Sequence, residues 1–378
     1  MSKIYVTSIT MLITTFMLLS CGNEKQPRDL FEEQQSGVCM VLNSYYYRID
    51  LPTGSTWYCT GIDSDGDLDN LTIDEDEAKK QKSMATGTAF FIDNEGTLLT
   101  NRHVVNPAIE EDVIKKAASR LISQIKDYLQ YVQLEYVQQY DELNLKKQDC
   151  YTIDYWGYKT FDQQQYYQIE EAQKKLEADF YQTQEAIGTI NGMDLSKISV
   201  TPVSQIGIAY NNTYVTGEDD FLSNNPCVVT KISNDEDVDL ALIQLKNKNT
   251  PAGKYVFKIK GRDIIELPFF EKISRIFMSD KDESIAIGKD LVMIGYNAGV
   301  ILGNTQQGIQ AQMTTGNVSQ KPDGTKILYS IPTLQGSSGS PVIDTEGYVR
   351  AVNYAKLRGT DSFNFGIPEN QILRFLNQ

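Results

Sequence analysis

The stretch Gln335-Gly336-Ser337-Ser338-Gly339-Ser340-Pro341 sets Ser338 between two glycines, directly before a run from Pro341 that reads as a buried strand. Gly336 can take backbone angles closed to other residues, so the turn can aim the amides of Gly336 and Ser338 at one point. Such a point is an oxyanion hole. A serine hydroxyl is a weak nucleophile until a base removes its proton, and the usual base is an imidazole steered by a carboxylate. The chain of 378 residues contains 1 histidine, His103, in Leu98-Leu99-Thr100-Asn101-Arg102-His103-Val104-Val105. The carboxylate candidate is Asp239, at the mouth of the apolar run Leu240-Ala241-Leu242-Ile243-Gln244-Leu245, which has the pattern of a buried strand. Taken singly, each motif has a plain reading as a turn or a structural histidine. Three in one order point to nucleophilic catalysis.

These motifs resemble the trypsin-like serine proteases, in which a strand ending T-x-x-H-V-V, a D-[LI]-A-L strand start and a G-x-S-G-[GS]-P turn follow in this order. The similarity is greatest to the bacterial high-temperature-requirement proteases and glutamyl endopeptidases. It extends to Gly87–Ile92 with Asn94-Glu95-Gly96, to Gly288–Tyr296 and to Phe365–Pro368, so it covers 86–106 and 200–378. The resemblance implies a mainly β fold of two six-stranded antiparallel barrels, and peptide hydrolysis through an acyl-enzyme without a cofactor. It implies Ser338 as nucleophile, His103 as general base, Asp239 as its orienter, and Gly336 and Ser338 as oxyanion donors. A substrate pocket is expected at Pro332, Thr333, Gln335 and Asn353. Pro332 stands where trypsin has its carboxylate. Thr333 matches the threonine of glutamyl endopeptidases, but Asn353 replaces their histidine, so uncharged P1 residues are expected. The alternative is a silent, protease-like protein that binds a partner through its insertion. There is no basic site followed by Ile-Val-Gly-Gly, so activation by a new N-terminus has no support, and no PDZ-like domain is expected after the closing helix.

The first 20 residues carry Lys3 and a short apolar stretch ending Leu18-Leu19-Ser20-Cys21, the pattern of an export signal. This ending resembles the lipobox of bacterial lipoproteins and makes Cys21 the expected lipidation site, which places the chain in a bacterial cell envelope, at the periplasmic or the outer surface. Residues 22–36 read as a polar tether, and 21–85 as a tether plus a small cysteine-containing extension, in which 37–62 has the pattern of a small sheet of its own or of an extra strand on the barrel. Of the 5 cysteines, four would remain in a compartment that permits disulfides. Cys39–Cys59 with Cys150–Cys227 is one of three pairings, and the sequence does not choose.

The acidic stretch Asp63–Asp74 has carboxylates at alternating positions, as calcium loops do, but Leu68 stands where the sharp-turn glycine belongs. A solvated loop is the better reading, and no metal is expected. The net charge of −15 argues against nucleic-acid partners, which need basic patches. Protein or peptide substrates and, through lipid, a membrane are the expected partners, with the oligomeric state open. Between the His103 and Asp239 motifs, Ile109, Val113, Ala117, Leu121, Ile125 and Leu129 recur at helical spacing, and Ile169, Ala172, Leu176, Phe180 and Ile187 do so again. The segment 107–199 is therefore expected to be an inserted, coiled-coil-like α-helical hairpin. Its Tyr- and Gln-rich tip suggests recruitment of protein substrates.

Overall fold

The computed structural model describes residues 24–106, 111–260, 262, 285–297, 299, 303–320, 322–356 and 364–378. The expected export signal, Cys21 and Ile109 of the expected helical stripe lie outside them. Two units emerge, one of residues 24–45, 84–106 and 204–378, the other of 46–83 and 111–203.

The first unit holds two closed antiparallel barrels. Strands β1 (Val38–Asp50), β5 (Ser83–Phe91), β6 (Thr97–Thr100), β11 (Ala241–Leu245), β10 (Pro226–Ile232) and β9 (Ser199–Tyr210) are neighbours in that order, and β9 pairs back with β1. The second barrel runs β19 (Tyr348–Lys356), β18 (Pro341–Asp344), β13 (Asp290–Gly295), β16 (Gln312–Gln320), β17 (Ile327–Tyr329) and β20 (Asn364–Pro368), with β20 returning to β19. A short strand β12 (Lys258–Ile259) adds parallel to β19, and β14 (Asn304–Thr305) and β15 (Gly308–Ile309) form a separate ribbon.

Why these strands read as apolar runs follows from which faces they bury. Cys39 and Val41 of β1, Ala89 and Phe91 of β5, and Ala241 and Ile243 of β11 fill the first barrel. Leu291, Met293, Val342 and Ala351 fill the second. The alternate residues Met40, Leu42, Phe90, Val292, Ile294 and Ile343 meet in a third cluster that joins the two barrels, so both faces of a strand are dry. A one-residue slip of register would still bury apolar side chains but would exchange barrel-filling residues for inter-barrel ones.

The N-terminal stretch departs from the expected tether and extension. Residues Pro27–Gln34 form helix α1, with proline at its first turn, Leu30 fully buried in the inter-barrel cluster, and Gln34 Nε2 donating to Gly347 O at 3.2 Å. Of the two readings of 37–62, the barrel strand holds for the first part of β1. Five strands alone would leave two open edges, and β1 closes them. Helix α6 (Asp219–Leu222) follows β9, and helix α7 (Glu369–Asn377) closes the chain by burying Gln371, Ile372 and Phe375.

In the second unit, helices α4 (Glu111–Asp149) and α5 (Gln163–Asn191) form the hairpin, joined by the ribbon β7 (Tyr151–Ile153) and β8 (Lys159–Phe161). At 1.5 Å per residue α4 is about 58 Å long. The helices are as expected, but the buried stripe is not. Val113 is exposed, and the buried positions of α4 are Ile114, Ala117, Ala118 and Ile122. In α5, Ile169 and Ile187 are buried as expected, but Gln173 is buried beside the exposed Ala172. Gln173 donates to Asn144 Oδ1 at 2.7 Å and accepts from Lys147 Nζ at 3.2 Å, so a polar clamp joins the helices where a purely apolar seam was expected. The unit also contains β2 (Thr56–Cys59), β3 (Gly61–Ile62), β4 (Leu68–Asp69) and α2 (Glu75–Lys80). Asp63 Oδ1 accepts the amides of Asp65 and Asp67, so the acidic loop spends that carboxylate on its own turn. No described helix is long and apolar enough to cross a membrane.

Disulfides are the clearest correction. Cys39, Cys59, Cys150 and Cys227 are all free and buried. Cys39 and Cys227 point into the interior of the first barrel, where each serves as a small apolar residue.

Candidate active site

His103 sits on a single helical turn, α3 (Arg102–Val105), directly after β6. Val104 and Val105 are buried in the first barrel and fix that turn, leaving the imidazole partly exposed. Asp239 grips it twice. Oδ1 accepts the His103 backbone N–H at 3.0 Å, and Oδ2 lies 2.5 Å from Nδ1. A carboxylate on Nδ1 keeps the proton there, so Nε2 is the nitrogen with a free lone pair. Asp239 is itself held from behind, since Asn101 Nδ2 donates to its carbonyl at 2.8 Å. The Arg102 guanidinium ties down the preceding loop through the carbonyls of Ser233, Asp235 and Glu236 at 3.2–3.4 Å.

Ser338 comes from the second barrel, on the turn before β18. Gly336 has φ +97°, the left-handed region, and a Cβ there would lie 2.5 Å from Gly299 N and 2.6 Å from Tyr296 O. Only glycine fits. Thr88 of the first barrel reads this turn closely. Its N–H donates to Ser338 O at 2.8 Å, and its hydroxyl donates to Gly336 O at 2.9 Å while accepting from Tyr296 N–H at 3.1 Å. The neighbouring Gly87 shows how near the two sequence motifs come. A Cβ on it would meet the Val104 methyls at 2.6–2.7 Å on one side and Ser338 O at 3.2 Å on the other. Strand β5 therefore touches both the residue after His103 and the peptide of Ser338.

The remaining bonds of the turn are one-sided. Ser337 N–H donates to Leu334 O at 3.0 Å and Gly339 N–H to Asn353 O at 2.8 Å. Among the described residues, the N–H groups of Gly336 and Ser338 have no acceptor. Two amides two positions apart, left unpaired at a partly exposed serine, are the donors an oxyanion needs.

The four expected pocket residues divide. Pro332 and Gln335 are exposed. Thr333 and Asn353 are 5% and 2% exposed, and their polar atoms are committed internally. Thr333 Oγ1 donates to Asn364 Oδ1 at 2.7 Å. Asn353 Oδ1 accepts the Tyr329 hydroxyl at 2.7 Å, and its Nδ2 donates to Ser337 O at 3.0 Å. Sequence reading did not single out Thr88, Asn101, Arg102 or Tyr329. The signal available was Thr100-Asn101-Arg102, a polar break directly after the buried Leu98-Leu99. Among the described residues no group of three or more His, Cys, Asp or Glu is placed to hold a metal.

Residues 209–352 match the family model of the trypsin-like peptidase domain. The span includes Asp239 and Ser338, whereas His103 precedes it, on the far side of the hairpin. Comparison with curated proteins gives no match. Among solved structures, the serine endoprotease from Yersinia pestis is similar at 12% identity with a TM-score of 0.40, over 93% of this chain and 66% of that one. The chain thus spans just under two thirds of that relative. The matched span covers less than half of the chain and runs through strands of both closed six-stranded antiparallel barrels, so that part of the chain is similar to the trypsin-like peptidase domain.

Proposed function

We propose that the chain is a serine endopeptidase whose nucleophile is Ser338, with His103 as general base and Asp239 as its orienter. The observation that carries this reading is the double grip of Asp239 on His103, which leaves Nε2 as the basic nitrogen. Ser338 Oγ attacks the scissile carbonyl carbon while Nε2 takes its proton. The oxygen gains a negative charge and accepts from the N–H groups of Gly336 and Ser338. Collapse of the tetrahedral adduct breaks the C–N bond, and the departing amine takes the proton from Nε2. Water then attacks the acyl-serine with His103 again as base, releasing the acid and restoring Ser338.

An organophosphonate should label Ser338 alone, and Ser338→Ala or His103→Ala should lower kcat/KM by several orders of magnitude. Folded protein that neither labels nor cleaves a broad peptide library would overturn the enzyme reading and favour the silent, partner-binding alternative.

The sequence supports an exported protein, anchored in a bacterial envelope through lipid on Cys21. Cell fractionation should find it with membranes, and Cys21→Ser should release it or block its processing; an unmodified N-terminus beyond Cys21 would refute this. Uncharged P1 residues are the proposed preference, since Pro332 and Asn353 stand where charged-side-chain specificity would need other groups. Profiling that shows strict cleavage after Arg or Glu would remove this proposal.

A further inference from the structure

Asn353 lies on β19, beside the point where the pairing with β20 slips between Asn353 and Ala355. Such a bulge re-aims side chains. The side chain runs under the Ser338 turn, 2% exposed, and every polar atom of the residue is used. Its N–H donates to Ser340 O at 2.9 Å and its carbonyl accepts from Gly339 N–H at 2.8 Å. Its Nδ2 donates to Ser337 O at 3.0 Å and Ser337 Oγ at 3.1 Å, and its Oδ1 accepts from the Tyr329 hydroxyl at 2.7 Å. The network also fixes which way the amide faces. Turned over, Oδ1 would confront the Ser337 carbonyl, acceptor against acceptor.

The peptide between Ser337 and Ser338 is the one whose N–H is an oxyanion donor. A trans peptide is planar, with its C=O and N–H pointing in opposite directions. Fixing the Ser337 carbonyl on Asn353 therefore aims the Ser338 N–H the other way. The peptides on either side are tied at both ends. Gly336–Ser337 is held by Thr88 Oγ1 and Leu334 O, and Ser338–Gly339 by Thr88 N and Asn353 O. The Ser337–Ser338 peptide is held through its carbonyl, which accepts from Asn353 Nδ2 at 3.0 Å and from Ser340 N–H at 3.1 Å, and of these two donors Asn353 is the one supplied by a side chain from another strand. Tyr329 supplies the second anchor. It is fully buried, and burial raises its phenol well above its ordinary range, so the hydroxyl keeps its proton; its oxygen lies 2.7 Å from Asn353 Oδ1 and 3.0 Å from Phe365 O, the Asn353 contact being the shorter.

We propose that Asn353 is a positioning residue for the oxyanion hole, holding the Ser337–Ser338 peptide so that the Ser338 N–H faces the reacting carbonyl, and that Tyr329 orients Asn353 for this task. This rests on Ser338 being the nucleophile, as proposed above. It replaces a role for Asn353 in contacting the substrate side chain.

The test is Asn353→Asp, which keeps size and shape but removes the Nδ2 donor. With a chromogenic peptide, kcat should fall about 10²–10³-fold, the loss typical of one oxyanion donor, while KM stays within about threefold. A peptide boronate or aldehyde inhibitor, which mimics the oxyanion, should lose affinity by a similar factor. A crystal structure of the variant should show the Ser337–Ser338 peptide rotated. Tyr329→Phe keeps the ring and removes only the hydroxyl, so it should lower kcat by a smaller factor with KM unchanged; it is the variant to use if Asn353→Asp does not fold. A rise in KM at constant kcat would return Asn353 to the substrate pocket and overturn the proposal. So would an unrotated peptide in a folded variant. Failure of the phosphonate to label wild-type Ser338 would instead fall on the parent reading, and the crystal structure of the variant still decides the positioning role.

Discussion

The barrel unit and the hairpin unit use polar residues in opposite ways. In the barrels, polar side chains such as Thr88, Thr100, Asn353 and Asn364 are buried, and those of Thr88, Asn353 and Asn364 bond to the Ser338 turn or to the strands beneath it. In the hairpin, α4 spans 39 residues and buries four of them, so most of its surface meets solvent. The hairpin inverts the usual order, with Tyr155 94% and Trp156 78% exposed at its tip while Gln173 is buried between its helices. The comparison teaches where this fold concentrates its constraints. The partners that Thr88, Asn353 and Asn364 find in the barrels fix geometry around the serine, whereas the hairpin is joined along one seam.

The sharpest way to break the comparison is Gly336→Ala. The added Cβ meets backbone atoms at 2.5–2.6 Å in a left-handed conformation, so the turn must move and carry an oxyanion donor with it. We expect kcat to fall at least about 10²-fold, with a stability loss of about 1–3 kcal/mol. Near-wild-type kcat in this variant would mean that the turn is not part of the chemistry.

A second, smaller effect separates the units through their thiols. Burial pushes the Cys59 and Cys227 thiols from 9.0 up to about 12. The folded state therefore holds protons that the unfolded chain gives up from about pH 9. Stability from this source is fully present below that pH and is lost as pH climbs from 9 towards 12. Urea midpoints should fall between pH 8 and pH 10.5, and fall less in Cys227→Ala. In denaturant, Cys39, Cys59, Cys150 and Cys227 should all react with a thiol reagent without prior reduction. A shortfall of two thiols would restore one of the disulfides excluded here.

The smallest effect is expected at the hairpin tip. Tyr155→Ser with Trp156→Ser removes exposed rings that meet edge to face, at 5.3 Å between centroids. The melting temperature should move by about 1 °C or less, and cleavage of short peptides should stay within about twofold. If cleavage of a folded protein substrate falls much further than that of short peptides, the tip has a recruiting role. A large loss of stability would show that the tip is not free in solution.

The two barrels were expected from the family resemblance, and the candidates His103, Asp239 and Ser338 were each marked locally: a lone histidine, an acid opening an apolar run, a serine framed by glycines. The helices were legible from their period, but their buried stripe was not, because an amphipathic helix exposed over most of its girth satisfies several choices of face. Sequence reading left β1 open, as a separate small sheet or an added barrel strand, for a different reason. Barrel closure is a property of six strands together, and nothing within Val38–Asp50 says which edges it will meet. The free cysteines and the Asn353 network belong to the same class. Whether two thiols meet, or an amide lies beneath a peptide 16 residues away in the chain, depends on distances that only packing sets. The sequence by itself determined the candidate chemistry, since the residue types and their order select nucleophile, base and orienter. The tertiary structure alone decided which amides are left unpaired and what holds them, because hydrogen-bond satisfaction is settled between segments brought together from both barrels.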